Sequence, residues 1–136
     1  MIKDYCKLQF ISESKKVRNM VRCLLDFIDG YAPASDVRDD LKLVFSELLY
    51  NAVIHGNRED RSKRVYVQIK AEDDNLWVQV QDEGPGFDYR KMIEYAGTEA
   101  ALLSGHGRGI ILVCALTDNL SFNETGNQIR FEKRLK

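Results

Sequence analysis

Three polar side chains, Glu47, Asn51 and His55, recur at intervals of four residues in the middle of the chain. In an α-helix this spacing places them in one row beside an apolar stripe. A carboxylate followed one turn later by an amide can ligate a magnesium ion or activate a hydroxyl group, because the metal prefers oxygen ligands and a general base needs a fixed lone pair. The alternative is a solvated helix face, on which His55 only interacts favourably with the helix C-terminus.

A second segment that could do chemistry, D-E-G-P-G-F-D at residues 82–88, directly follows an alternating apolar run. Gly84 and Gly86 would let the backbone approach a flat ligand closely, and Asp82 could accept a hydrogen bond from an exocyclic amine. The same residues are also typical of a tight turn between a strand and a loop. Taken alone, the segment leaves both interpretations open.

A third segment, S-G-H-G-R-G at residues 104–109, opens an apolar run. Its glycines are Gly105, Gly107 and Gly109, with His106 and Arg108 between them. Successive backbone N–H groups at a helix N-terminus form the arrangement that binds phosphate. The spacing differs from the Walker A and Rossmann patterns, and no lysine follows the glycines. The alternative interpretation is a flexible hinge of a lid.

The remaining pattern predicts the elements that position these segments. Apolar residues alternate in five runs, which we interpret as strands: 5–10, 65–69, 76–80, 120–122 and 129–131. Apolar residues repeat at three- and four-residue steps in two segments, 17–28 and 41–52, the second helix running on to Gly56, with Ser35 or Asp36 as its N-cap. A weaker helix is expected at 91–95, and the glycine-rich entry favours a helix over a strand at 110–116. The order β-α-α-β-β-loop-α-β-β predicts helices on one face of a largely antiparallel sheet, with the first strand short and at an edge.

Composition limits the class of protein. At 136 residues, 44% of them hydrophobic and 30% charged, the chain fits one globular domain over residues 1–136. A net charge of -1 leaves no basic excess, so we expect no direct contact with nucleic acid. Three cysteines without a C-x-x-C pattern suggest neither disulfides nor zinc. Without a signal peptide or an apolar run of about 20 residues, we expect a cytoplasmic protein that does not enter membranes.

Together, E-L-L-Y-N-A-V-I-H-G-N at 47–57, D-E-G-P-G-F at 82–87 and G-H-G-R-G-I at 105–110 resemble the N box, G1 box and G2 box of GHKL ATPases. The resemblance covers nearly the whole chain, and the tail at 111–135 is similar to that of bacterial anti-sigma factors that are serine kinases. It implies the Bergerat fold, an α/β (α+β) two-layer sandwich with a mainly antiparallel mixed sheet. It also implies ATP (or ADP) and Mg²⁺ as cofactors.

The resemblance also implies roles for residues. Asn51 would ligate Mg²⁺, with His55 in the same nucleotide motif, and Glu47 would be the general base that accepts the proton of a substrate serine. Asp82 would bind the adenine amine, Gly84 and Gly86 would leave room for the base, and the amides of Gly105, Gly107 and Gly109 would hold phosphates. Related sporulation kinases have an arginine where this chain has Gly105, so Arg108 or His106 would supply positive charge to the γ-phosphate instead.

The leading functional hypothesis is a serine kinase that binds a sigma factor and phosphorylates a small anti-anti-sigma (STAS-domain) protein. A rival is a binding module that uses nucleotide only to set its shape and sequesters a partner. A third hypothesis is a detached ATPase domain that serves a sensor complex. The resemblance further implies a possible homodimer, in which Phe10 and Ile11 would either line the subunit interface or cap the sheet.

Overall fold

The computed structural model describes residues 3–96 and 108–136. The strands are β1 (Lys3–Ile11), β2 (Arg64–Glu72), β3 (Asn75–Gln81), β4 (Asp118–Phe122) and β5 (Gln128–Arg134). The helices are α1 (Val17–Asp29), α2 (Ser35–Tyr50), α3 (Tyr89–Ala96) and α4 (Arg108–Leu116), with a π-helical turn at Asn51–Gly56 and a short 3-10 turn at Ser14–Lys16. Within the described ranges, no helix has both the length and the apolar character that a bilayer crossing needs. The predicted order of elements is confirmed.

The five strands form one sheet in the order β1-β2-β3-β5-β4. The first strand lies at an edge as predicted, but it is not short, because its nine residues pair with β2 along its whole length. All pairings among the described strands are antiparallel, so the expected mixed character is absent from this part of the chain. The predicted α/β sandwich with a mainly antiparallel sheet is confirmed.

The β2–β3 hairpin shows why the local sequence folds as it does. Asp73 and Asp74 have positive φ angles of 51° and 63°, as a two-residue type I′ turn requires. Aspartate tolerates this region better than most residues, and the turn matches the twist of the two strands. The hairpin sets the register that carries the chain to Gln81 at the end of β3, one residue before Asp82.

The helices pack on one face of the sheet and share one hydrophobic core with it. Alternate residues of β2 and β3 are buried, and the rings of Phe45 in α2 and Phe131 in β5 lie 6.4 Å apart across the two layers. Phe10 belongs to this core and is only 5% exposed. The hypothesis that Phe10 lines a subunit interface is therefore wrong, because its side chain is covered within its own chain.

The second helix differs from expectation at both ends. Its N-cap is Ala34, without a side-chain capping hydrogen bond, so neither Ser35 nor Asp36 caps the helix; both lie in its first turn. At the other end, the α-helix stops at Tyr50 and continues as the π-helical turn, in which the Asn57 N–H donates to the Ala52 carbonyl at 2.8 Å. Single π-turns within helices are common at functional sites.

Candidate functional site

Glu47 and Asn51 lie on adjacent turns where α2 passes into the π-turn. The N–H of Asn51 donates to the carbonyls of Glu47 and Leu48, so the predicted four-residue spacing holds for this pair. Both side chains are half-buried. Neither forms a side-chain hydrogen bond or ion pair with another residue in the described part of the chain. Among the described residues, no hydrogen-bonding group competes with a ligand for their polar atoms.

His55 lies in the π-turn, directly before Gly56. Its place in one row with Glu47 and Asn51 stays a prediction. His55 is exposed, and its ring meets the ring of Phe87 edge to face, with centroids 6.3 Å apart. The histidine thus contacts the G1 segment.

Asp82 is a buried carboxylate one residue beyond β3. Only 3% of its surface is exposed. Its backbone N–H donates to the Asn127 carbonyl at 2.9 Å, and its carboxylate accepts the Gly84 N–H at 2.8 Å. Burial raises the pKa of Asp82, while the Gly84 hydrogen bond and the charge of Lys63 oppose that rise. Such a carboxylate is a strong, fixed acceptor for an amine.

The N-box and G1 segments touch through glycines. A Cβ at Gly56 would overlap the Asp82 carboxylate and would lie 2.8 Å from its Oδ1. A Cβ at Gly84 would overlap the carbonyl group of Gly56. Two segments that are far apart in the sequence are therefore brought into direct contact, and only glycine fits at either position.

Gly86 faces the β4–β5 turn. It has a φ of 90°, and a Cβ there would overlap the backbone carbonyl of Thr125. The next residue, Phe87, donates its N–H to the Gly126 carbonyl at 2.9 Å. At Gly84 and Gly86 the space is thus taken by the chain's own backbone, and room for a nucleotide base there stays a prediction.

Only the end of the third segment is described. Arg108 begins α4, and Gly109 follows in the first turn of that helix. A Cβ at Gly109 would overlap Oε2 of Glu47 and would lie 3.0 Å from its Cδ. The first turn of α4 therefore packs against the Glu47 carboxylate. Gly105, His106, Gly107 and the side chain of Arg108 lie outside the described residues.

Two residues near the site received no role from the sequence. Asn57, the last letter of the N-box motif, is 1% exposed and joins β2 to the G1 segment through its carboxamide. Tyr89 is 5% exposed and packs against Phe87 and Phe122. Burial, followed by the charge of Asp82, raises the pKa of Tyr89 to about 12. The sequence gives one indication of a role, which is the position of Asn57 inside the N-box motif.

Asn51 offers an amide oxygen, and oxygen is the ligand type that Mg²⁺ accepts. Among the described residues, no group of three or more His, Cys, Asp or Glu side chains could hold a metal ion. Mg²⁺ commonly takes one or two protein oxygens and completes its shell with phosphate oxygens and water. The amide oxygen of Asn51, without a partner in the described part of the chain, fits that pattern.

The fold and the three segments are those of a nucleotide-binding domain, and the profile of the histidine kinase-like ATPase domain matches residues 10–133. The chain belongs to this family. The Anti-sigma F factor of Bacillus subtilis (strain 168) is 28% identical over 98% of this chain and 94% of its own. A protein of the same name from Clostridium botulinum (strain Eklund 17B / Type B) is 29% identical over 98% of this chain and 96% of its own. Another, from Lysinibacillus sphaericus, is 31% identical over 79% of this chain and 77% of its own.

Proposed function

We propose that the chain acts as one domain, an ATP-binding anti-sigma factor that transfers the γ-phosphoryl group of ATP to a serine of an anti-anti-sigma protein. The observation that carries the proposal is the position of the Glu47 carboxylate, against the first turn of α4 and one turn from Asn51. The relatives named Anti-sigma F factor support the anti-sigma role. A cytoplasmic location follows from the proposal, since bacterial transcription takes place there.

The nucleotide would be held at both ends. Asp82, buried and fixed by the Gly84 N–H, would accept a hydrogen bond from the adenine amino group. Asn51 would ligate Mg²⁺, which would neutralise charge on the phosphate oxygens. The backbone amides of Gly105, Gly107 and Gly109 would bind phosphates at the N-terminus of α4, where the helix dipole favours anions.

The transfer step needs positioning and charge neutralisation more than covalent chemistry. The serine hydroxyl oxygen would attack the γ-phosphorus as its proton passes to the carboxylate of Glu47. The bond between the γ-phosphorus and the bridging oxygen would break, and ADP would leave with that electron pair. Arg108 or His106 would supply the positive charge that related kinases draw from an arginine at the position of Gly105.

The proposal is tested with γ-labelled ATP, the purified chain and a candidate anti-anti-sigma protein. We expect label on a partner serine, and we expect Glu47→Gln to reduce labelling by about 10²-fold or more, as loss of a general base does. The matched control is Glu72→Gln, because Glu72 is also half-buried but lies at the far end of β2. Equal labelling by the parent and Glu47→Gln would exclude the assigned base.

A second candidate is a sequestering module that binds nucleotide and a sigma factor without transferring phosphate. It is favoured by Gly105, which replaces the arginine of related kinases. An unlabelled partner, together with retained MgATP binding and retained capture of a sigma factor, would establish it. Hydrolysis of ATP without any partner would instead indicate an ATPase domain that serves a larger complex.

A homodimer forms part of the proposal. Phe10 is unavailable for an interface, but the outer face of the sheet presents Tyr5 and Tyr66, which are 53% and 37% exposed. Trp77 lies on the same face, in the row of Tyr5. Sedimentation equilibrium with MgATP should give twice the monomer mass. A monomer mass at micromolar concentration would remove the dimer and leave the assigned chemistry in place.

A further inference from the structure

The carboxamide of Asn57 bonds to two strand ends at once. Its Oδ1 accepts the Glu83 N–H at 2.7 Å, and its Nδ2 donates to the Arg64 carbonyl at 2.9 Å. The Arg64 N–H in turn donates to the Glu83 carboxylate at 2.5 Å, which closes a ring of three residues. Asn57 is 1% exposed, so its hydrogen bonds form away from competing water.

The register of the sheet explains the position of this amide. The ladder between β2 and β3 ends at the pair Tyr66 and Gln81. Two residues further, Arg64 would face Glu83 in the same register. The Asp82 N–H points to the β5 side and bonds to the carbonyl of Asn127, the residue before β5. By strand alternation, the Glu83 N–H points to β2. The carboxamide of Asn57 thus takes the place of a direct bond between the two strands.

Asp82 is consequently fixed on both sides through its main chain. Its own N–H is held by the Asn127 carbonyl, just before β5, and the next N–H along the chain is held by Asn57. Asn57 is itself anchored at the end of the π-turn, where its N–H bonds to the Ala52 carbonyl at 2.8 Å. The residue before it, Gly56, packs on the Asp82 carboxylate. The side chain of Asn57 therefore links the N-box turn to the Asp82 carboxylate, which would accept a hydrogen bond from the base.

We propose that Asn57 is a positioning residue for base recognition, which holds the Asp82 carboxylate at a fixed distance from the N-box turn so that it selects a 6-amino purine. The inference rests on the proposed function, since it assumes that the base binds at Asp82. Asn57 is 1% exposed and its carboxamide is bonded to Glu83 and Arg64, so this role requires no contact with the nucleotide. Its effect is therefore on the choice between bases more than on the binding of phosphates.

The test compares MgATP with MgITP, which has an oxygen in place of the 6-amino group, by isothermal titration calorimetry. The parent should prefer MgATP by about tenfold or more, the scale of one hydrogen bond to a charged group. Asn57→Ala should reduce the preference to less than about threefold, because a displaced Asp82 no longer reads the amine. The control is Val21→Ala, which truncates a buried residue of α1 away from the site. This variant should have a lower melting temperature but should keep the parental preference for MgATP.

Removal of a buried amide can prevent folding, so Asn57→Ser provides a second variant. The serine hydroxyl is too short to reach both Glu83 and Arg64, and the expected loss of preference is the same. A parental MgATP to MgITP ratio in the folded variants would overturn the inference and would give Asn57 a structural role only. A parent that binds neither nucleotide would instead overturn the proposed function.

Discussion

The Cα of Gly56 lies directly against the carboxylate of Asp82, so that a Cβ at position 56 would overlap that carboxylate. The two residues are 26 positions apart and belong to different segments of the candidate site. Asp82 is almost fully buried and is also held by the Gly84 N–H, so it has little freedom to move away. The glycine is therefore required by the position of the acceptor.

We expect Gly56→Ala to displace Asp82. Forcing a methyl group into a packed site costs about 1–3 kcal/mol of unfolding free energy. The affinity for MgATP should fall by about tenfold or more, because the hydrogen bond to the charged group is lost. Urea denaturation and calorimetry measure the two effects.

The matched control is Gly30→Ala, which also replaces a glycine at a helix end. Gly30 has an ordinary helical φ of -62°, and a Cβ there would meet only the Phe27 carbonyl oxygen, at 3.4 Å. The unfolding free energy should change by less than about 1 kcal/mol, with alanine favoured if anything. Equal losses in the two variants would contradict the special position of Gly56.

The sequence predicted the elements well because their apolar periodicities are regular. The stripe on α2 is buried as expected at Leu41, Val44 and Leu48. The π-turn was missed because it is made by one extra residue in a helical turn, and periodicity over so few residues does not distinguish it from an α-helix.

The contacts between segments were beyond the sequence for a different reason. Glycines at 56, 84 and 86 indicate that another group approaches the backbone closely, but the sequence does not identify that group. In the structure Gly84 meets Gly56 and Gly86 meets Thr125, and both partners are distant in sequence. The sequence likewise shows Asn57 only as part of a motif. Its two hydrogen-bond partners, Arg64 and Glu83, come together only in the folded sheet.

Replacement by alanine should have different effects on the unfolding free energy at Gly109 and at Gly84. At Gly109 the new Cβ meets the end of the flexible Glu47 side chain, which can rotate away. At Gly84 it meets the backbone of Gly56, with the carbonyl carbon 2.6 Å away, and the backbone cannot yield without distortion. We therefore expect Gly109→Ala to cost less than about 1 kcal/mol of unfolding free energy, and Gly84→Ala to cost about 1–3 kcal/mol or more.

The activity of Gly109→Ala should nevertheless fall by about tenfold or more, because the displaced Glu47 no longer acts as a fixed general base. Labelling of a partner serine by γ-labelled ATP measures this loss, with MgATP affinity followed in parallel. Full labelling by a stable Gly109→Ala variant would contradict the assignment of Glu47.

Asp82→Asn should make the protein more stable at neutral pH while it weakens MgATP binding. Burial raises the pKa of the Asp82 carboxyl above its ordinary value of 3.8, so the folded protein binds this proton more tightly than the unfolded chain. Stability from this group is present at low pH and is lost as pH rises through the folded pKa. Asparagine carries no charge and keeps an oxygen that accepts the Gly84 N–H.

Urea denaturation at a series of pH values measures the difference between Asp82→Asn and the parent. The advantage of the variant should be largest at neutral pH and should shrink as pH falls toward 3.8, the ordinary pKa of the group. A constant difference at every pH, or a variant less stable than the parent at neutral pH, would exclude the burial penalty.

Two buried or hydrogen-bonded tyrosines among the described residues, Tyr31 and Tyr89, should ionise late in an alkaline titration. Burial and then the charge of Asp82 raise the pKa of Tyr89 to about 12, and burial followed by the hydrogen bond donated to Asp4 raises the pKa of Tyr31 to about 12. Both values exceed the ordinary 10.0, so the folded state keeps these protons longer than the unfolded chain. Stability is therefore lost as pH rises from about 10 toward 12.

Absorbance of tyrosinate follows the titration, and urea denaturation follows stability over the same range. Tyr89→Phe and Tyr31→Phe should each remove one late-ionising group and should each reduce the loss of stability between pH 10 and 12, the span between the ordinary and raised pKa values. Tyr31 is held by Asp4 at the start of β1, so its variant should leave MgATP affinity unchanged.

Asp82→Asn should lower the pKa of Tyr89 and not that of Tyr31, because only Tyr89 senses the Asp82 charge. An equal effect on both tyrosines would contradict the proximity of Tyr89 to Asp82.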